Sequence, residues 1–334
     1  MQTEADSQLN GQSETFAQFV NRVDTIVFPG AMGTELQRRG YRSTLPLWSA
    51  GANLEAADLV AQIHSDYFAA GADVAITNTF RTTPRAFRKL GREGEARAAL
   101  EKSMAIALRA TSDTGRAAFV GGSFAPLEDC YSPASVPSES ELRQEHRLHA
   151  TWLAEAGADF LLPETINSGI EAQIMAEAAS VTGLPFIISF VVDACGRLLD
   201  GTPIAEAVEK TDLPGRVGVS LNCRPVDIID EAFLTLSSVY DGAIGLYPNG
   251  IGCPHDDLGW CFTETDDDVE KFVSSALRWK RQGVKIIGGC CGTTPDYIRE
   301  LRKALLKAKG KPACHSYHSG QQRHGANRPL SLPR

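Results

Sequence analysis

Three cysteines of this 334-residue chain occur in sequence contexts that are compatible with binding one metal ion. Cys290 and Cys291 are adjacent and lie between glycines, and Cys223 follows Asn222 earlier in the chain. Glycine permits backbone conformations that other residues avoid, so both sulfurs of the pair could point to one place. Three thiolates with one open position are typical of a zinc site that accepts a further ligand. We therefore predict that Cys223, Cys290 and Cys291 hold Zn²⁺.

These cysteines also have alternative interpretations. Cys223 alone would ordinarily be a small buried apolar residue. Cys290 and Cys291 could instead form a strained vicinal disulfide, which is rare. Neither alternative explains why all three cysteines follow apolar runs that resemble strands. The metal site is therefore the favoured interpretation.

The ligand type indicates the reaction. Three sulfur ligands donate so much negative charge that zinc becomes a weak Lewis acid, poorly suited to ionising water. A thiol in the fourth position loses its proton on coordination and remains a good nucleophile. The predicted chemistry is therefore alkyl transfer to sulfur. A zinc hydrolase is disfavoured because the sequence has no H-E-x-x-H or comparable motif.

Short apolar, β-branched runs alternate with longer amphipathic stretches, as expected for strands buried on both faces and separated by helices. Eight such units predict an α/β fold, a single-domain (β/α)8 TIM barrel with its active site at the C-terminal strand ends. The alternative, a doubly wound open sheet, would usually carry a glycine-rich phosphate loop, and the sequence has none. The predicted strands are 25–28, 74–78, 118–121, 160–163, 185–191, 217–221, 243–247 and 284–287.

Capping signals mark three helices. A helix over 55–70 is followed by Gly71 as its C-cap, and Ser138 with Glu141 forms a capping box that opens a second helix. The Thr294-Pro295 pair begins the helix over 296–309. The predicted organisation is a disordered N-terminal segment over 1–20, a barrel over 21–310 and a disordered basic tail over 311–334.

Polar residues follow other predicted strands. Glu164, after the fourth strand, could hold a substrate ammonium group or form a salt bridge at the barrel rim, and the two are about equally favoured. Asn249 could fill the open zinc position when substrate is absent, although a turn is the safer interpretation. Asn78 and Thr79 could line the pocket or cap the next helix. All four are candidate substrate-binding residues.

Composition excludes several classes of function. The net charge of −8 gives no electrostatic support for nucleic-acid binding, and no apolar run is long enough to span a membrane. The polar, acidic N-terminus does not resemble a secretory signal, and eight cysteines are too few for a disulfide scaffold. We therefore expect a cytoplasmic protein that acts on small molecules, a thiol among them, and not on nucleic acid or a membrane. Symmetric homo-oligomers are common, which gives a mild expectation of one here.

The chain resembles the homocysteine S-methyltransferase family over residues 24 to 305. The resemblance depends most on Asn222-Cys223 and on the run from Gly288 to Pro295. Further motifs in matching order are Gly-Ala-Met-Gly-Thr-Glu-Leu (30–36), Leu-Trp-Ser-Ala (47–50), Gly-Ala-Asp (71–73), Thr-Asn-Thr-Phe (77–80), Glu-Thr (164–165), Asp-Gly-Thr-Pro (200–203) and Tyr-Pro-Asn (247–249). The segment around Trp48 is most similar to the S-methylmethionine-dependent, cobalamin-independent branch.

The resemblance implies a (β/α)8 barrel with zinc on the three cysteines, homocysteine sulfur as the fourth ligand, Glu164 on the substrate amino group, and methionine as product. It implies a small onium methyl donor such as S-methylmethionine, S-adenosylmethionine or betaine, since the chain is too short for folate and cobalamin modules. One residue departs from the family pattern: Pro29 stands where an aspartate is usual. In the family, that aspartate is expected to help hold the ammonium group of homocysteine. Proline can neither accept this hydrogen bond nor carry charge, so a different thiol acceptor is an alternative. A non-catalytic zinc- or thiol-binding barrel is the second alternative.

Overall fold

A computed structural model describes residues 14–255, 259–262 and 268–309 of the chain. Eight parallel strands form one sheet, in the order β1-β10-β7-β6-β5-β4-β3-β2, with helices between successive strands. The predicted (β/α)8 barrel is therefore confirmed. The strands of this sheet are β1 Ile26–Val27, β2 Val74–Ile76, β3 Phe119–Phe124, β4 Phe160–Pro163, β5 Phe186–Phe190, β6 Arg216–Asn222, β7 Ile244–Tyr247 and β10 Ile286–Ile287.

Asp73 closes the barrel between β1 and β2, which are the two ends of the sheet order. Its backbone N–H donates to the carbonyl of Val27 at 2.8 Å, and its carboxylate accepts from the Val27 N–H at 2.8 Å. One side chain thus replaces part of a strand ladder, because β1 is only two residues long. A closed barrel brings the C-terminal ends of all eight strands to one rim.

Helices surround the barrel and pack their apolar faces on its outer surface. Gly71 adopts the left-handed conformation at the end of α4, with φ of 109°, as its predicted C-cap role requires. The predicted capping box between Ser138 and Glu141 is present at the start of α7. The helices are α1 Phe16–Arg22, α2 Gly33–Arg38, α3 Ala52–Glu55, α4 Ala57–Ala70, α5 Pro84–Arg88, α6 Ala96–Asp113, α7 Glu139–Glu155, α8 Gly169–Ser180, α9 Ile204–Lys210, α10 Val226–Val239, α11 Asp268–Arg281 and α12 Pro295–Lys309.

All eight predicted strands exist; Phe160–Pro163 has the predicted bounds, and the other seven differ at one or both ends. The largest difference is β3, which continues to Phe124 although the predicted strand ended at Gly121. Gly122 and Ser123 have low strand propensity, but they pair in register with Leu161 and Leu162 of β4. Pairing with a buried neighbour therefore overrides local preference at this position.

Helix α1 corrects the prediction that residues 1–20 are disordered. Phe16 and Phe19 of this helix are buried, and the ring of Phe16 stacks on Phe160 of β4 at a centroid distance of 3.8 Å. Thr15 caps the helix and forms a capping box with Gln18. The helix packs its apolar face on the core of the barrel interior, so this part of the prediction is wrong. Residues 1–13 and the predicted tail over 311–334 lie outside the described residues.

A two-stranded antiparallel hairpin follows β7 and lies at the rim of the barrel. Its strands are β8 Cys253–His255 and β9 Gly259–Cys261. Trp260, the middle residue of β9, is buried. The Trp260 indole N–H donates to the carbonyl of Ile251 at 3.0 Å. Across the described ranges, no helix is long and apolar enough to cross a membrane.

Candidate metal and substrate site

The three cysteines predicted to bind metal meet at the C-terminal rim of the barrel. Cys223 follows β6 directly, and Cys290 and Cys291 follow β10 after two glycines. The strands β6 and β10 are both neighbours of β7 in the sheet. The three sulfur atoms lie within 4.8 Å of one another, and no disulfide joins them. The fold therefore brings Cys223 next to Cys290 and Cys291, which lie far from it in the sequence.

The spacing of the sulfurs fits a tetrahedral metal centre. The Sγ atoms of Cys223 and Cys291 are 3.8 Å apart. Two sulfurs that are each about 2.3 Å from a tetrahedral zinc ion are separated by about 3.8 Å. Asn249 lines a smaller cavity together with Cys223, and its Oδ1 atom is buried without a hydrogen-bond partner among the described residues; its contact with a metal ion stays a prediction. Sulfur ligands and this geometry suit Zn²⁺ better than a hard cation such as Mg²⁺.

The electrostatics of the cluster also favour a bound cation. Hydrogen bonds among the three sulfurs act in both directions, and together with burial and repulsion between neighbouring thiolates the net effect raises the pKa of each of Cys223, Cys290 and Cys291 well above 9. The thiols alone would thus keep their protons at neutral pH. A divalent cation that displaces those protons would compensate the three negative charges.

The backbone at Cys223 is held in an uncommon conformation. Cys223 has φ of 57°, a region that residues other than glycine rarely adopt and that often occurs at functional sites. Asn222, which is completely buried, accepts from the Ser189 hydroxyl at 2.8 Å and donates to the Thr165 hydroxyl at 2.8 Å. Its amide nitrogen is also 3.9 Å from the sulfur of Cys290. Asn222 thus supports the positions of Cys223, its neighbour in the chain, and of the sulfur of Cys290.

The Cys290-Cys291 turn depends on its glycines. A Cβ atom at Gly289 would lie 2.3 Å from the Thr293 hydroxyl, and Gly292 has φ of 79°. The Cys290 N–H donates to the carbonyl of Pro248 at 2.7 Å, which ties the turn to the end of β7. Glycine is therefore required here for close approach as well as for backbone conformation.

Glu164 lies at the end of β4 and lines the same cavity as the sulfur cluster. Its carboxylate accepts hydrogen bonds from the Ser123 hydroxyl at 2.5 Å and the Tyr247 hydroxyl at 3.3 Å. Burial raises the pKa of Glu164 to about 7, although both hydrogen bonds act in the opposite direction. Within the part of the chain that the structure describes, no basic side chain pairs with Glu164, so the salt-bridge alternative is not what the structure contains.

Asn78 and Thr79 support the wall of the cavity. The Asn78 amide group donates to the carbonyl of Ser49 at 2.8 Å and to the Asn53 side chain at 2.9 Å, and it accepts from the Ser49 hydroxyl at 2.6 Å. The Thr79 hydroxyl donates to the carbonyl of Ser123 at 2.6 Å. Both side chains thus already have protein partners, and direct contact of either residue with substrate stays a prediction.

The cavity that contains the site has a volume of about 750 Å³ and opens at the rim. Its wall includes the sulfur cluster, Glu164, Asn78, Pro29 and the aromatic side chains Trp48, Phe80 and Tyr131. Pro29 contributes its carbonyl, which accepts from the Gly289 N–H at 3.2 Å, but no polar side chain. The space is large enough for two small molecules at once, as a transfer between substrates requires.

Tyr131 is a site residue that the sequence did not reveal. Its hydroxyl oxygen lies 3.0 Å from the sulfur of Cys223 and 3.3 Å from the Cys223 carbonyl oxygen. Burial raises the pKa of Tyr131, so the phenol remains protonated. Tyr131 lies in the irregular segment after β3, where no repeat or motif marks it. Ser123 of β3 was likewise not identified, and Tyr247 of β7 was identified only as part of the Tyr-Pro-Asn motif; the hydroxyls of both donate to Glu164.

Comparison with known proteins connects this site to characterised relatives. A family model described as homocysteine S-methyltransferase matches residues 26–305. The chain is 34% identical to homocysteine S-methyltransferase YbgG of Bacillus subtilis (strain 168), over 83% of this chain and 93% of that protein. It is 31% identical to a selenocysteine methyltransferase of Astragalus bisulcatus, over 84% of this chain and 92% of that protein. The metallated form of the homocysteine methyltransferase MmuM from Escherichia coli superimposes with a TM-score of 0.73 at 28% identity, covering 85% and 98% of the two chains.

Proposed function

The chain belongs to the homocysteine S-methyltransferase family, and from this premise we propose that it is a zinc-dependent enzyme that methylates homocysteine to methionine with a small onium donor. The observation that carries the proposal is the sulfur cluster at the rim of the barrel, whose three Sγ atoms lie within 4.8 Å of one another. The existence of a metallated form of MmuM supports the proposal that this chain also binds a metal.

Cys223, Cys290 and Cys291 would hold the zinc ion. When bound, Zn²⁺ supplies a position at which a substrate thiol becomes a thiolate at neutral pH. Asn249 would face that position before substrate arrives, since its Oδ1 atom is buried without a partner in the described residues. Keeping three sulfurs reduced requires a reducing compartment, which favours a cytoplasmic location.

Glu164 would bind the ammonium group of the amino-acid acceptor. It lines the same cavity as the sulfurs, and Ser123 and Tyr247 fix the orientation of its carboxylate. An approaching ammonium group would stabilise the ionised form and return the pKa of Glu164 toward its ordinary value. One end of homocysteine would thus bind at Glu164 and the other at the sulfur cluster, which would direct the sulfur toward the donor.

The methyl group would pass directly between two bound molecules. The carbon–sulfur or carbon–nitrogen bond of the onium donor breaks as a new bond forms to the acceptor sulfur, and the donor leaves as a neutral thioether or amine. No proton transfer accompanies this step, so the protein accelerates it by proximity and by excluding water. S-methylmethionine, S-adenosylmethionine and betaine all fit this requirement. The aromatic residues Trp48 and Phe80 in the cavity wall are suited to an onium group.

Pro29 favours a second candidate, the same chemistry with a different acceptor. The cavity wall at Pro29 offers a carbonyl that is already bonded to Gly289 and no carboxylate. Glu164 would then hold the ammonium group without help from a carboxylate at position 29. An acceptor other than homocysteine, with a thiol or a selenol, would then be accommodated, and two relatives of the chain are named for selenocysteine methylation.

The proposal is tested by loading the purified protein with zinc and supplying homocysteine with each of the three donors separately. Mass spectrometry should detect methionine with at least one donor. The Cys290→Ser variant should lose both bound zinc and turnover, whereas Cys195→Ser, at an exposed cysteine away from the cluster, should keep both. Absence of methionine with every donor, in protein that contains zinc, would refute homocysteine methylation. Methylation of selenocysteine or of another thiol in the same protein would support the second candidate.

A further inference from the structure

Arg81 is a cation of the cavity wall that the protein leaves largely unpaired. It follows Phe80 in the segment after β2 and lines the cavity that contains the sulfur cluster. Among the described residues its guanidinium makes one hydrogen bond, to the carbonyl of Leu127 at 3.3 Å, and it lies 5.6 Å from the ring centroid of Phe80. A guanidinium has five N–H donors, so most of its hydrogen-bonding capacity remains open.

The other cations of this region are neutralised by carboxylates. Lys89, which also lines the cavity, forms an ion pair with Glu128. Arg85 contacts the same Glu128 at 2.6 Å and Glu141 at 3.0 Å. Arg81 has no carboxylate within ion-pair distance anywhere in the described ranges. Its charge therefore lies at the cavity wall without a carboxylate partner among the described residues.

The ligand that matches this group is a carboxylate, because two parallel hydrogen bonds from a guanidinium fit its two oxygens. The acceptor thiol and its ammonium group are already placed at the sulfur cluster and at Glu164, the inner end of the cavity. The donor must approach the acceptor sulfur from the open side. The end of the donor farthest from its onium group is consequently the part nearest the rim. Arg81 lies there, partly exposed, between the segments that follow β2 and β3.

We propose that Arg81 binds the carboxylate of the methyl donor and so selects onium compounds that carry one. This inference rests on the proposed function. The onium group would lie against the aromatic wall, with its methyl group toward the acceptor sulfur, while the guanidinium of Arg81 fixes the far end of the molecule. Arg81 thereby sets the distance between donor head and reacting methyl group, which is the positioning that a direct transfer requires.

The first test compares donors with and without a carboxylate in the zinc-loaded enzyme. Arg81→Gln should lower kcat/KM for S-methylmethionine by about 10- to 100-fold, as expected for loss of a charge-assisted hydrogen bond. Its kcat/KM for trimethylsulfonium, which has no carboxylate, and its KM for homocysteine should equal those of the natural protein. Arg81→Lys should lie between the two, since lysine keeps the charge but not the fork. Arg88→Gln, which removes an exposed cation paired with Glu93, is the matched control and should change none of these values.

Three outcomes would overturn the inference: an unchanged kcat/KM for S-methylmethionine in Arg81→Gln, an equal loss with trimethylsulfonium, or a raised KM for homocysteine. The last would assign Arg81 to the acceptor. Calorimetry provides a measurement that does not depend on turnover. The natural protein should bind S-methylmethionine at least tenfold tighter than its carboxamide, roughly as one charge-assisted contact predicts, and Arg81→Gln should bind both equally. If no donor is turned over, the proposed function fails, and this binding difference alone still decides the role of Arg81.

Discussion

Replacement of Glu164 by glutamine should stabilise the protein and weaken its acceptor binding at the same time. Burial raises the pKa of Glu164 from 4.5 to about 7 in the folded chain. Between these two pH values the folded state therefore holds a proton that the unfolded state has released. The contribution of Glu164 to stability is greatest at low pH and is lost as pH rises through about 7, the folded pKa. Above that pH the enclosed carboxylate is ionised and destabilises the fold.

The size of this effect follows from the pKa difference. At about 1.4 kcal/mol for each pH unit, the ionised carboxylate costs on the order of 3 kcal/mol at pH 8. Glutamine has nearly the same shape and no charge. Unfolding entropy of about 2.1 cal/mol/K per residue converts 3 kcal/mol into a rise in Tm of about 4 °C for a chain of this length. At pH 5 folded Glu164 is already protonated, and the rise should be only about 1 °C.

Differential scanning calorimetry of substrate-free, metal-free protein at pH 8 and pH 5 measures this difference, because a cation bound in the same cavity would itself lower the pKa of Glu164. The KM of Glu164→Gln for homocysteine should rise about 10- to 100-fold at pH 8, through loss of a charge-assisted hydrogen bond. Glu206→Gln is the control, because Glu206 is half-exposed and pairs only with Lys210. A lower Tm at pH 8 in Glu164→Gln would show that the carboxylate stabilises the fold, and the reasoning from burial would be wrong. A homocysteine KM that does not change would remove Glu164 from the acceptor site.

Two further predictions concern the support of the barrel and of the metal site. Phe16→Ala should lower the free energy of unfolding by about 3–5 kcal/mol in urea titrations, because the ring stacks inside the barrel. Leu234→Ala, at an exposed position, should have little effect. Equal stability of the two variants would contradict the role of α1. Asn222→Ala should weaken zinc binding by about 10- to 100-fold in competition with a chromophoric chelator, because the residue orients the sulfur ligands, and unchanged zinc affinity would show that Cys223 holds its conformation without it.

Much of this architecture was accessible from local sequence patterns. Apolar runs identified all eight barrel strands, and capping signals at Gly71 and Ser138 located helix ends, because these features depend on residues near one another in the chain. The three cysteines were predictable as a group since barrel topology brings strand ends to one rim. The residue types then indicated metal chemistry. These predictions succeeded because each one needed only the type of a residue and its position relative to a strand.

Other features depend on contacts between distant segments, and only the tertiary structure decided them. Helix α1 was predicted as disorder because its flanking residues are polar, yet Phe16 finds a buried partner in Phe160, which is far along the chain. Tyr131 and Arg81 occur in irregular segments, where side-chain direction is set by the packing of neighbouring loops. The sequence by itself determined which groups could do chemistry. The fold determined which of them face one cavity, because the free energy that orients a loop side chain comes from long-range contacts that no local pattern encodes.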